Sequence, residues 1–333
     1  MAATMIPPAF APQFLQGCGW GGAEIAPLAG DASFRRYFRV VDGDRRAVLM
    51  DAPPPHEDPR PFIAVGEWLV SHGFAAPDIL ARDLDRGLLL LEDFGDARVR
   101  EHVEEAPGHE APVYRRAIDL LAALHRLPAA DVPPYDRAVY QREAGLLTEW
   151  FCPAAGLSVD TESYVAAWDA VLPLVEADAV PPVTVLRDYH AENIMILDDA
   201  GRSFGLGLLD FQDALAGHPA YDLVSLLQDA RRDVDPEIEA EMLAHYRTRA
   251  SVSANFDAVY AILGAQRNAK IIGIFTRLWR RDGKARYLSF LPRMWGLLER
   301  DLAHPALAPV KAWFDANIPV SHRRLALANE AEG

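Results

Sequence analysis

The stretch VTVLRDYHAENIMILDDAGRSFGLGLLDFQDA (183–214) decides how this chain is read. VTVL (183–186), NIMIL (193–197) and FGLGLLD (204–210) are short apolar runs of strand character, with Asp198–Gly201 as the turn signal between the last two. Asp188 follows the first run, Asn193 lies five residues later, and Asp210 closes the third. Phosphoryl transfer needs a carboxylate to orient a hydroxyl or take its proton, and oxygen ligands to hold Mg²⁺ against nucleotide phosphates. Asp188 suits the first task; Asn193 and Asp210 suit the second. Asx residues also cap turns and bond their own backbone. That accounts for any one of the three, but poorly for all three around a strand–turn–strand.

Working outward, RRYFRVV (35–41) and RRAVLMD (45–51) flank Gly43-Asp44 as the strands of a hairpin. The Pro-rich DAPPPHEDPRP (51–61) is a loop. The spacing then predicts a helix over 60–73 with Phe62, Val65, Leu69 and Val70 on one face, ended by Gly73 and blocked by Pro77. GLLLLEDFGD (87–96) reads as a buried strand running into a polar connection. From about 110 helical periods dominate: Val113, Ala117, Leu120, Leu121, Leu124 and Leu127 form a stripe stopped by Pro128. After Asp222 the chain returns to helix, with a strongly apolar segment over 256–280. The expected fold class is α+β in two lobes: a small β-rich lobe over 1–95, a hinge near 92–96, and a larger, mainly helical lobe over 96–333.

Charge and cysteine count narrow the partners. The 333 residues carry 33 Lys and Arg against 48 Asp and Glu, a formal net charge of −15. Such a balance argues against nucleic acid as a partner, since phosphate backbones reward clustered cations. Cys18 and Cys152 make neither a disulfide framework nor a zinc site. The uncharged start contains Pro7, Pro8 and Pro12, unlike an export helix, and no run of about 18 apolar residues spans a membrane. A cytoplasmic protein with no membrane and no obligate protein partner is expected.

The segments LRDYHAENIMI and LLDFQDALAGHPAYDLVSLL, and less sharply GDASFRRYFRV and LLLEDFGD, resemble the aminoglycoside/choline phosphotransferase family, which shares the protein-kinase-like fold. That resemblance covers nearly the whole chain. It implies that Asp188 is the catalytic base, that Asn193 and Asp210 hold Mg²⁺, and that ATP is the co-substrate. Asp222, in PAYDL, matches the aspartate that opens a helix and braces the catalytic loop, and His190 is a loop-orienting residue. GDASFRRYF (30–38) stands at the phosphate-covering loop, so Ser33, Phe34 and Arg35 are nucleotide-binding candidates; it has one glycine and no G-x-G-x-x-G. Glu92 and Phe94 match the hinge that faces adenine. Where many relatives carry a phosphate-contacting Lys or Arg, this chain has Met50. Arg35, Arg36 and Arg39 are the candidate substitutes, and Glu67, which would face that lysine, is either solvated or paired elsewhere. His125 reads as a structural histidine.

Within the family, VLMDAPPP and QRNAKIIGIFTRL, with the segments above, are most similar to bacterial anomeric sugar kinases acting on N-acetylated cell-wall sugars. That implies a small amino sugar as acceptor and a sugar 1-phosphate as product. Asp188, Arg267 and Asn268 are then the substrate-binding candidates, with Lys270, Arg277 and Trp279 nearby, although Ile271, Ile274, Phe275 and Leu278 at helical spacing make the same segment a core helix. Two other readings stand: the same fold acting on an aminoglycoside, a choline-like amine or another alcohol, and a nucleotide-binding regulator without transfer activity.

Overall fold

The computed structural model describes residues 5–28, 34–197, 203–323 and 325. Nine strands occur among them. The first five are β1 (Glu24–Pro27), β2 (Arg36–Asp42), β3 (Arg45–Asp51), β4 (Ile79–Asp83) and β5 (Leu88–Glu92). Four short ones follow: β6 (Val183–Val185), β7 (Ile194–Ile196), β8 (Leu206–Leu208) and β9 (Leu215–Gly217). The helices needed below are α1 (Ala11–Gly17), α2 (Arg60–Ser71), α3 (Glu110–Leu124), α4 (Arg137–Leu146), α5 (Ala220–Leu227), α6 (Phe256–Asp282) and α7 (Leu291–Leu302). The chain packs as two compact units, Met1–Ala117 with Ala191–Ala214 and Ile118–His190 with Leu215–Gly333.

In the first unit, β1–β5 form an antiparallel sheet in the order β1-β2-β3-β5-β4. Period-two alternation sorts its faces. Phe38, Val40, Ala47, Leu49, Leu88 and Leu90 pack with Ala11, Phe14 and Leu15 of α1 into one core. Tyr37 and Met50 pair across β2 and β3, and Met50 pairs with Leu89; Arg39, two residues along from Tyr37, shares their face. The edge strands β1 and β4 escape the sequence reading because their burial is partial, without an apolar run. In α2, Phe62, Val65 and Leu69 are buried as expected, but Val70 is 41% exposed; one step of 100° from Leu69 carries it off the buried face.

The hairpin β7–β8 belongs to this same unit although it follows residue 190. Leu208 N–H donates to the Ala75 carbonyl at 2.8 Å and Ile196 N–H to that of Ala97 at 2.7 Å. Gly207 admits the Phe94 ring, which a Cβ at that position would meet at 2.6 Å. Long-range backbone bonds thus place the packing boundary away from the single division expected near 92–96. The expected turn at Asp198–Gly201 lies outside the described residues.

The second unit is mainly helical, with β6 and β9 paired antiparallel. The stripe expected to run to Leu127 stops earlier: α3 ends at Leu124, and Arg126 and Leu127 N–H groups bond three residues back, because Pro128 disfavours helical geometry in the residue before it. The 27-residue α6 is the organising element, as its apolar content predicts, and most of its residues are buried. Gly273 permits close packing there; a Cβ would stand 2.3 Å from the Leu146 carbonyl carbon. No helix among the described residues is long and apolar enough to cross a membrane.

Candidate active site

In the first unit Asn193 ends a one-turn 3₁₀ segment, Ala191–Asn193, just before β7. Its carbonyl accepts from Leu209 N–H at 2.9 Å, which ties the start of the hairpin to its end. Asp210 follows with φ at +56°, a left-handed conformation that non-glycine residues adopt at a cost. The carboxylate is 46% exposed; it accepts from Gln212 Nε2 at 2.9 Å and from Asn193 Nδ2 at 3.4 Å. Turning the Asn193 amide by 180° exchanges its donor for its oxygen, so the pair offers hard oxygen donors in an open setting. This suits Mg²⁺, which keeps several waters and takes one or two protein ligands plus phosphates. Next to Asp210, Phe211 stacks on Phe62 of α2 with centroids 4.8 Å apart, anchoring the segment by an apolar contact.

Arg35 reaches this point. Its Nη2 is 4.0 Å from Asp210 Oδ1 and 3.8 Å from Asp213 Oδ2, and its Nε is 3.6 Å from Glu57. The other two candidate substitutes are held elsewhere: Arg36 by Asp51, whose Oδ2 accepts from both Nε and Nη2, and Arg39 by Asp93 at 2.8 Å and Asp96 at 2.9 Å. Met50 is fully buried. Burial holds the Tyr37 hydroxyl above its ordinary pKa, and Asp210, Glu57 and Asp213 add to this against Arg35, so Tyr37 stays a neutral phenol. Ser33 lies outside the described residues. Phe34 is 66% exposed and stacks on His56 with centroids 5.1 Å apart. Glu92 is bonded to Asp78 through both its side chain and its N–H, and Phe94 covers Gly207. These contacts hold the connection after β5 in place. Glu67 pairs with Arg82 at 3.4 Å on the surface, the alternative to facing a phosphate-bound lysine.

In the second unit the loop after β6 carries Asp188. Arg187 before it has φ at +69°, and the conformation is imposed from below. Asp222, fully buried in the first turn of α5, accepts from Leu186 N–H at 2.7 Å and Arg187 N–H at 2.8 Å. Ser225, one turn on, donates to the Arg187 carbonyl at 3.0 Å and accepts from Arg267 Nη2 at 2.9 Å. The Arg187 guanidinium contacts Glu143, to which Tyr135 donates and Lys270 Nζ approaches at 2.9 Å. Burial by itself raises the Asp188 carboxyl, but Lys270, Arg187 and Arg267 outweigh it and hold the group below its ordinary value. Asp188 is therefore ionised at neutral pH. His190 is buried, with Nε2 3.0 Å from Arg231; burial first, then Arg231, pushes it down to about 4, so it is a neutral acceptor that orients the loop. His125 bonds the Tyr246 hydroxyl at 2.8 Å and is pushed down to about 3 by burial, as a structural histidine should be.

The two expected acceptor contacts part company. Arg267 braces the Asp188 loop through Ser225. Asn268 is fully buried and donates to Gln228 Oε1 at 2.7 Å and Asp301 Oδ2 at 2.9 Å, so its side chain belongs to an interior network and not to an acceptor site. Adjacent helical residues point about 100° apart, and the sequence reading had joined them. It also missed Glu143, Ser225 and Asp213, which no local motif marks.

The five-stranded sheet, the helical second unit and the strand–loop–hairpin together define the fold of the small-molecule kinases. A choline/ethanolamine kinase family protein from Mesorhizobium loti shares it, with a TM-score of 0.62 over 87% of this chain and 93% of that one at 15% identity. Over residues 24–259 the chain matches the model of the phosphotransferase enzyme family, and it belongs to that family. The N-acetylmuramate/N-acetylglucosamine kinase of Caulobacter vibrioides is 38% identical, covering 93% of this chain and 96% of that protein. Its namesake from Pseudomonas aeruginosa is 39% identical, over 89% and 90%.

Proposed function

We propose that the protein is an ATP- and Mg²⁺-dependent kinase that phosphorylates the anomeric hydroxyl of N-acetylmuramate and N-acetylglucosamine. The observation that carries the acceptor is the similarity to kinases of these sugars over about nine-tenths of the chain. In this reading Asp188 takes the proton of the anomeric hydroxyl as its oxygen forms a bond to the γ-phosphorus. The bond from that phosphorus to the β–γ bridging oxygen breaks, and ADP leaves. A hemiacetal hydroxyl is more acidic than an ordinary alcohol, so an ionised carboxylate with a low pKa is an adequate base. Asn193 and Asp210 hold Mg²⁺, which when bound offsets phosphate charge. Arg35 takes the phosphate-contacting role that Met50 vacates, and Phe34 and the backbone after Glu92 serve the nucleotide.

The product is a sugar 1-phosphate for cytoplasmic salvage of peptidoglycan sugars. An amine acceptor fits less well, because Lys270, Arg187 and Arg267 surround Asp188 with positive charge. A mere regulator has no use for an ionised carboxylate held in this way. The test is turnover with Mg²⁺-ATP on N-acetylmuramate, N-acetylglucosamine, glucose, choline and one aminoglycoside, with phosphorus NMR of the product. An anomeric phosphate on the N-acetyl sugars is expected. Transfer only to choline or the aminoglycoside discards the sugar, and no transfer despite nucleotide binding brings back the regulator.

A further inference from the structure

One face of α6 carries a row of cations. Arg267, Lys270, Arg277 and Arg281 follow one another at intervals of three, seven and four residues. At 100° per residue they fall with Ile274 into one sector of about 80°. Burial falls along the row: Arg267 and Lys270 are buried, Ile274 and Arg277 half-buried, Arg281 exposed. Its inner end therefore lies among the cations that hold Asp188 ionised, and its outer end meets solvent.

Three of the four cations are engaged. Arg267 donates to Ser225, Lys270 meets Glu143, and Arg281 is paired with Asp282 at 2.7 Å. Arg277 has no hydrogen bond, ion pair or ring contact among the described residues, and its Nε is buried. Glu149 and Asp282 act on it only from a distance, and burial moves its pKa down. Arg39, Arg187, Arg293 and Arg323, also partly buried, each end on a carboxylate; Arg98 and Arg116 do not, but neither leaves a buried guanidinium nitrogen without a partner. A desolvated donor without an acceptor is costly unless a ligand supplies one.

A second lone donor lies along the same stretch of helix. The Leu146 backbone packs at Gly273, and the chain then turns through a π-helical segment, Leu147–Phe151, of the kind often found at functional sites. Within it Trp150 is half-buried, with its indole N–H buried and unpartnered. The indoles of Trp168 and Trp295 also lack partners but are sealed in the core, whereas the Trp150 ring keeps an open part.

We propose that Arg277, with Trp150 on the segment packed beside it, forms an anion subsite that receives the lactyl carboxylate of N-acetylmuramate and so sets preference for that sugar over N-acetylglucosamine. This rests on the sugar-kinase reading above. The two sugars differ in the lactyl ether on O3, whose carboxylate is the one formal charge between them. A guanidinium fork pairs with a carboxylate through two parallel bonds. Arg277 is seven residues, about 10 Å of helix rise, beyond Lys270. That displacement suits a group standing across a pyranose ring from the anomeric oxygen, and the indole offers a flat face and one further donor.

Calorimetric titration of the full chain with each sugar, without nucleotide, tests this apart from turnover. Wild type binds N-acetylmuramate more tightly. Arg277→Gln reduces the ratio of the two dissociation constants by roughly 10- to 100-fold, the loss expected of a charge-assisted pair, and Arg277→Lys recovers part of it. Melting curves check that both variants fold, and the Lys variant supplies the readout if the Gln variant does not. No wild-type preference, or a ratio unchanged in a folded variant, overturns the subsite. A preference that depends on Arg277 in a chain that transfers no phosphate would keep the subsite and remove the kinase reading. Transfer to both sugars with an unmoved ratio would do the reverse.

Discussion

Asp210 and Asp222 stand at two ends of one stretch of chain, twelve residues apart, and are built in opposite ways. Asp210 sits nearly half-exposed on a left-handed backbone, with side-chain amides and an arginine as its neighbours. Asp222 is fully buried, and backbone N–H groups fill both of its oxygens. Amide side chains rotate away at little cost, whereas backbone donors at the root of a loop move only if the loop does. The first aspartate is thus suited to exchanging partners, the second to fixing a conformation. Asp188 lies between these extremes: its loop is clamped, while its carboxylate is kept charged by Lys270, Arg187 and Arg267 against the effect of burial.

The strongest way to break this comparison is to remove the charge at Asp188 without altering its shape. Asp188→Asn is expected to cut turnover by at least about a hundredfold, the scale of acid–base participation, while nucleotide affinity is spared. Steady-state kinetics beside a nucleotide titration would show it; unchanged turnover would remove the mechanism. Asp210→Ala should do the opposite. It is expected to weaken Mg²⁺-dependent nucleotide binding by about tenfold or more, on the scale seen when metal sites lose supporting groups, with little change in melting temperature because an exposed carboxylate contributes little to the fold. Nucleotide titrations with and without Mg²⁺ separate the two effects. Equal affinity in wild type and variant would end the metal assignment.

The open half of this arrangement was legible in the sequence, and the clamped half only partly. Asp188, Asn193 and Asp210 announce themselves because their spacing is local and bounded by strands. Asp222 was visible only through the resemblance, in which the PAYDL aspartate opens a helix and braces the loop. Glu143 was not: it meets Arg187 across 44 residues of sequence, and Lys270 only because α4 packs beside α6. Arg267 and Asn268 were placed together because they adjoin in sequence, yet on a helix adjacency separates directions, and the structure sends one to Ser225 and the other to Asp301. At the level of the fold, strong strands and α6 were read correctly from period and apolar content. β1, β4 and β9 are too short or too exposed to leave a pattern, and the packing of β7–β8 with the first unit depends on backbone bonds to Ala75 and Ala97 that no side chain advertises.

The interior network around Asn268 offers the subtlest test of the buried, partner-filled type. Asp301 accepts from Gln228 Nε2 and Asn268 Nδ2, both at 2.9 Å, yet burial outweighs these bonds and pushes its pKa up to about 8. An acid whose folded pKa lies above its unfolded value of about 4 binds more protons when folded, so its contribution to stability is fully present below about pH 4 and fades as pH rises through about 8. Burial likewise raises Asp222 to about 7, even with its two backbone donors. Asp301→Asn should flatten the fall in stability between pH 5 and 8.5, with a relative gain on the order of 1 kcal/mol at the upper end. An Asn offers one acceptor where the carboxylate offers two, to Gln228 Nε2 and Asn268 Nδ2, so one hydrogen bond is lost at every pH and the slope, not the absolute stability, is the readout. Urea melts of both proteins across that range give the slope directly. Parallel slopes would mean that Asp301 is ionised throughout, and that amide donors alone suffice to hold a buried carboxylate charged in this helical core.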